Sequence, residues 1–231
     1  MLSPRIGMNE LGMYSVEPSA LKRNMIIKKE MDLEKRPPSF YDPARRYITE
    51  ALLQGLTDLS TLAEQIEKLR SESETGWKKK RNELSADAIE AFMTMQREVD
   101  LEHCMPFPAV DTSGMYIKDV LVRSKPELLL RHMNTRDKAT LGGIKLYMNK
   151  NSPLSVTLNK KVSAGKISAT LLARQIEQYS HFATECNYLK CQVVDVFAGE
   201  VFRASKEHKI IWKYIEAGCN QIKDGWGTQS A

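Results

Sequence analysis

The sequence is poor in the features that announce compartment and catalysis. It contains no run of about 18 or more apolar residues, the length needed to span a bilayer as a helix. Residues 1–13 are broken by Pro4, Arg5, Asn9 and Glu10, so the unbroken apolar core of a secretory signal is missing. The 4 cysteines, Cys104, Cys186, Cys191 and Cys219, show no C-x-x-C spacing and are too sparse for a secreted disulfide scaffold. They read as free thiols of a reducing compartment, and no N-glycosylation sequon is present. The expectation is an intracellular, cytoplasmic protein without membrane insertion.

Catalytic signatures are equally scarce. Neither G-x-S-x-G nor H-E-x-x-H occurs. The 4 histidines, His103, His132, His181 and His208, lack the paired spacing of structural zinc ligands. His103 adjoins Cys104, but catalytic Cys–His pairs meet through space rather than along the chain. Gly165-Lys166 resembles the end of a phosphate loop, yet Lys160 stands where that pattern needs glycine and Ile167 where it needs Ser or Thr. An enzyme with a site built around a residue such as Asp195 has no spacing to support it. The expectation is a non-enzymatic protein with no cofactor and no metal.

What is present is ordinary globular composition. Of 231 residues, 42% are hydrophobic and 27% charged, which excludes a wholly disordered chain. The net charge of +5 permits a nucleic-acid, acidic-protein or anionic-lipid partner without requiring one. Residues 1–42, punctuated by Pro4, Pro18, Pro37 and Pro38, read as a flexible arm whose 20–35 stretch would fold on contact with a partner. Residues 43–104 read as a helical association region. Ile48, Leu52, Leu56, Leu59, Leu62, Ile66 and Leu69 recur at steps of 4, 4, 3, 3, 4 and 3. That mean of 3.5 is the repeat of a coiled-coil seam, so these residues are the candidate oligomerisation surface of a homo-oligomer. Trp77, Leu84, Ala88, Phe92, Met95 and Val99 share the face of a second helix. A hairpin within one chain and a continuous rod that multimerises are both open.

Residues 105–114, with Pro106, Pro108 and the Asp111-Thr112-Ser113-Gly114 turn cluster, form a linker. Residues 115–218 then read as a small mixed α+β domain, with 219–231 as a flexible tail. Ser124 and Glu127 have the spacing of a capping box ahead of a short helix through Leu128, Leu129 and Leu130. Ile144, Leu146 and Met148 alternate with polar neighbours, as do Leu154, Val156 and Leu158, which predicts a β-hairpin turning at 149–153. Residues 168–187 predict a helix, 191–197 a buried strand, and Ser205 the start of a last helix stopped by Gly218. The fold class expected is α+β, with a coiled-coil or helical-hairpin region preceding the mixed domain.

Two basic groups are candidate nucleic-acid contacts. Trp77, Lys78, Lys79, Lys80 and Arg81 would wrap one helical turn and offer a stacking ring beside four charges. Lys145, Tyr147, Lys160, Lys161 and Lys166 would line one edge of the hairpin. The first group also reads as a solvated helix face, and the second as a guard against edge-strand aggregation. Arm, association helices, linker and compact domain together resemble, in organisation alone, the phosphoproteins of non-segmented negative-strand RNA viruses. That resemblance implies an oligomeric adaptor bridging a polymerase and a nucleocapsid, with protein and RNA or nucleoprotein partners. The alternative is a structural subunit of a large assembly that binds no nucleic acid.

Overall fold

The computed structural model describes residues 3–32, 39–72, 75–109, 114–133, 138–159, 162–179, 185–206 and 208–229. The first half of the chain supplies β1 (Arg5–Gly7), α1 (Met8–Val16), α2 (Ala20–Met31), α3 (Asp42–Leu53), α4 (Ser60–Ser71) and α5 (Gly76–Met95). Five strands follow: β2 (Cys104–Pro108), β3 (Met115–Ile117), β4 (Val120–Arg123), β5 (Leu128–Met133) and β6 (Ala139–Tyr147). The remainder is β7 (Thr157–Asn159), β8 (Val162–Ser163), α6 (Ala164–Tyr179), β9 (Glu185–Asp195), β10 (Glu200–Arg203) and α7 (Lys209–Gln229). The class is mixed α and β, as the changing hydrophobic period predicts.

A five-stranded sheet in the order β10-β9-β6-β5-β2 lies at the centre. Only β6 and β9 pair in parallel, joined through α6; the other neighbours are antiparallel. Successive side chains on a strand point to opposite faces, and here both faces are apolar. Leu128, Leu130, Ile144, Leu146 and Val194 face α3, α4 and α5. Leu129, Cys191 and Val193 face a second core with Leu171, Leu172 and Ile176 of α6 and with α1 and α7. Each such fully buried side chain contributes about 1.5–3 kcal/mol relative to exposure.

Within the expected 1–42 arm, residues 3–32 are folded. β1 pairs in parallel with β4, which forms a hairpin with β3 across Lys118 and Asp119 at φ 50° and 64°. Ile6, Met8, Leu11, Tyr14 and Val16 are buried. Their apolar signal is short because α1 spans little more than two turns. Glycines let α1 lie close to its neighbours: a Cβ on Gly12 would sit 2.6 Å from the Ala164 carbonyl oxygen, and one on Gly218 would sit 2.7 Å from Ser15 Oγ. Gly218 is therefore a helix contact, not a stop, and α7 continues to Gln229, burying Trp226 where a flexible tail is expected.

The association region is three separate helices laid on the sheet. Ile48, Leu52, Leu62, Ile66 and Leu69 are buried, and Leu56 and Leu59 pack partly buried against the same core. The expected oligomerisation seam is thus spent within the chain, because a 3.5-residue stripe fits a sheet as well as a second helix. The hairpin of Ile144 and Leu158 also does not form. β6 pairs with β5 and β9, while β7 pairs with β8. The expected 105–114 linker begins instead as the edge strand β2, paired with β5, where Pro106 and Pro108 are tolerated because one side of an edge strand has no ladder to feed, while Pro37-Pro38 and Asp111-Thr112-Ser113 lie outside the described residues.

The expected capping box is replaced by two other ties. Ser124 Oγ donates to Gln175 Oε1 at 2.7 Å. The Glu127 side chain, 7% exposed, accepts from Arg45 of α3, from Lys145 Nζ at 3.1 Å and from the Leu146 amide at 2.8 Å. With its carboxylate so engaged, Glu127 cannot cap a helix, and Leu128–Met133 extends as a strand. Elsewhere a further tie joins Lys190 Nζ of β9 to Asp100 Oδ1 at 2.7 Å and to the Glu102 carbonyl at 3.0 Å. Burial raises the Asp100 pKa, but the Lys190 hydrogen bond, the Glu102 amide and the charges of Lys190 and Arg203 outweigh it and leave the group below its ordinary 3.8.

Two outcomes follow from these ties. Glu127→Ala leaves Arg45 and Lys145 without their shared anion and is expected to cost about 3 kcal/mol in urea unfolding, whereas a loss under about 1 kcal/mol would show the tie to be ornamental. Because the folded-state pKa of Asp100 is depressed, its stabilisation is complete above the ordinary 3.8 and lost as pH falls through the lower folded value. The stability gap between the wild type and Asp100→Asn should hold steady above that point and narrow below it; a gap independent of pH down to the acid limit would rule the tie out.

Candidate nucleic-acid interface

α5 begins where Gly76 takes φ 60° and Thr75 is extended without a side-chain cap. Its first amides therefore lack a side-chain partner from Thr75, at the positive end of the helix dipole. The first turn carries no acidic residue, and Lys78, Lys79 and Lys80 follow Trp77 there. Cations at this end work against the helix dipole. Such a departure from local preference, made on an exposed turn, concentrates positive potential rather than stabilising the helix.

Aromatic rings from α5 and from the turn ahead of α3 meet at the same place. Phe40 and Trp77 lie 5.5 Å apart at 35° between planes. Lys80 Nζ stands 5.6 Å from the Phe40 centroid, and the Arg81 guanidinium 5.3 Å from that of Trp77. The segment ahead of α3 is held against α5 by Ser85 Oγ donating to the Phe40 carbonyl at 2.8 Å. Trp77 remains 38% exposed, so its ring is a partly open platform.

Beside it is a cleft of about 450 Å³ whose walls include Arg46, Tyr47, Lys68, Arg81 and Asn82. Arg46 lies 4.6 Å over the Tyr47 ring. Asp42 and Glu72 also reach this cleft, and Glu72 accepts from Asn82 Nδ2 at 2.7 Å. Arg81 Nε is buried without a hydrogen-bond partner among the described residues, and its Nη2 reaches only Asn82 Oδ1 at 3.4 Å. Lys79 has one long ion pair with Glu83, 3.9 Å, with both side chains more than half exposed, which adds little stability.

The first basic group expected from sequence is thus one surface. The second is not. Lys145 lies on the central strand β6 with its ammonium on Glu127. Tyr147 is half-buried, donates its hydroxyl to the Ser152 carbonyl at 2.6 Å, and has its pKa pushed up to about 12 by burial and then by the charge of Glu10. Lys166 is exposed on the first turn of α6, while Lys160 and Lys161 lie outside the described residues. Phe40, Arg46, Tyr47 and Lys68 are the participants that sequence reading does not supply. Arg45-Arg46 is visible as a basic pair, but only α3 packing divides it, sending Arg45 to Glu127 and Arg46 to the cleft.

No group of three or more His, Cys, Asp or Glu side chains is placed to hold a metal ion among the described residues. No helix among them is long and apolar enough to cross a membrane. Comparison with known proteins finds no matching family model, no matching curated protein and no matching solved structure.

Proposed function

We propose that the protein is a non-enzymatic adaptor that docks single-stranded RNA of a nucleoprotein complex on the exposed end of α5. The observation that carries this reading is the Phe40–Trp77 ring pair flanked by Lys80 and Arg81 at a helix start with no side-chain cap from Thr75 and no acidic residue in its first turn. Sequence-tolerant binding of single strands combines a positive groove along the backbone with rings on which bases stack. Lys78, Lys79 and Arg81 meet phosphates, the partly open Trp77 face takes a base, and Arg46 and Lys68 extend the positive track into the cleft. With no base-edge reader in this set, affinity is governed by charge and salt rather than by sequence.

Fluorescence anisotropy with a labelled single-stranded RNA oligonucleotide tests this across a salt series. Lys78→Glu with Lys79→Glu should abolish binding at moderate salt, and single Lys→Ala changes should shallow the salt dependence by about 0.7 per phosphate contact removed. Trp77→Ala should weaken binding by about 1–3 kcal/mol at every salt concentration. A wild-type chain that binds no RNA at low salt, or a charge-reversed variant that binds equally well, would refute the proposal and leave the structural-subunit reading.

A further inference from the structure

β9 departs from its register with β6 once. Leu141 faces Cys186, while Gly143, two residues on, faces Cys191. Residues 187–190 therefore bulge out of the ladder, passing so close to β6 that a Cβ on Gly142 would sit 2.5 Å from the Lys190 carbonyl oxygen. Residues two apart on a strand share a face and lie about 6.6 Å apart, at the upper end of the Cα separations that a disulfide spans. Cys186 and Cys191 inherit this spacing from their partners on β6. Their Sγ atoms stand 3.8 Å apart in the same core.

The two thiols differ in access. Cys186, 4% exposed, lines a cleft of about 500 Å³ together with His132, Thr140, Tyr188 and Lys206. Cys191 is fully buried behind it. Burial, and then the neighbouring Cys186 thiol, push its pKa well above the ordinary value. Neither sulfur has a strong competing bond: Cys186 reaches the Ala173 carbonyl at 3.5 Å and Cys191 the Asn187 carbonyl at 3.3 Å.

We infer that Cys186 and Cys191 form a reversible redox pair, oxidised from this cleft by a small disulfide of the glutathione type. Cys186 loses its proton to water and its thiolate attacks one sulfur of that disulfide. The small S–S bond breaks, one glutathione leaves as thiolate, and the other stays as a mixed disulfide on Cys186. Cys191 then attacks the Cys186 sulfur as its proton passes to the departing second glutathione, which leaves as the thiol. Two protein thiols are oxidised and one small disulfide is reduced to two thiols. The new bond closes residues 187–190 into a covalent loop and fixes the bulge that carries Lys190 and the exposed Leu189.

The test is peptide mapping of the full chain under non-reducing conditions after native incubation with oxidised glutathione. The wild type should yield a Cys186–Cys191 cross-linked peptide lighter by two hydrogens, reversed by dithiothreitol, with Cys104 and Cys219 outside the bridge. Cys191→Ser should stop at glutathione on Cys186. The inference is overturned if the wild type accumulates the mixed disulfide without the internal bridge. It is equally overturned if neither cysteine reacts in the folded chain while both react once it is unfolded. The wild-type map decides the matter even if the serine variant fails to fold.

Discussion

β6 and β9 run side by side in the same direction, so no tight turn can connect them. The chain must leave the sheet, cross one face and return, and α6 is that crossing. A strand placed between neighbours in this way is buried on both sides, which is why Ile144, Leu146 and Val194 face the core under α3, α4 and α5 while Leu141 and Val193 face the core under α6. α6 alone leaves one face open. The helices α3, α4 and α5 cover it, and α1 and α7 complete the layer around α6. The N-terminal third of the chain is therefore required by the sheet, and its apolar stripe is not free to recruit a second copy.

This arrangement separates the charges drawn into the fold from those left on its surface. Arg45 and Lys145 are drawn inward to Glu127, Arg123 to the buried Glu30, and Lys190 to Asp100. What remains on the outer surface of the helical layer includes the cationic start of α5, beside the ring of Phe40 and the cleft of Arg46 and Lys68. Anchors and surface cations look alike in composition; the sheet separates them.

Local features were legible in the sequence and pairings were not. The 3.5-residue stripe of Ile48 to Leu69 marks helices correctly, yet the same stripe serves a coiled coil or a sheet. Alternation at Ile144 and Leu146 marks a strand, but its partners come from residues distant in sequence, whose choice rests on burial of both faces rather than on a nearby turn. Leu128, Leu129 and Leu130 form a continuous apolar run that periodicity cannot divide between a buried strand and a buried helix. Gly218 reads as a stop until Ser15 is seen against it. For the candidate site, Trp77 to Arg81 was readable because those residues are contiguous. Phe40 and Lys68 were hidden because only the packing of α3 and α4 on α5 brings them there.

One sheet binds the N-terminal elements, the helical layer and the mixed strands into a single cooperative unit. Native-state hydrogen exchange measured residue by residue tests it most directly. Amides of Leu11 in α1, Leu52 in α3 and Phe92 in α5 should open with the same free energy as those of Ile144 and Val193. Amides of α1 or α3 exchanging through a separate opening several kcal/mol below that of β6 and β9 would contradict it, and would restore an arm and an association region independent of the sheet.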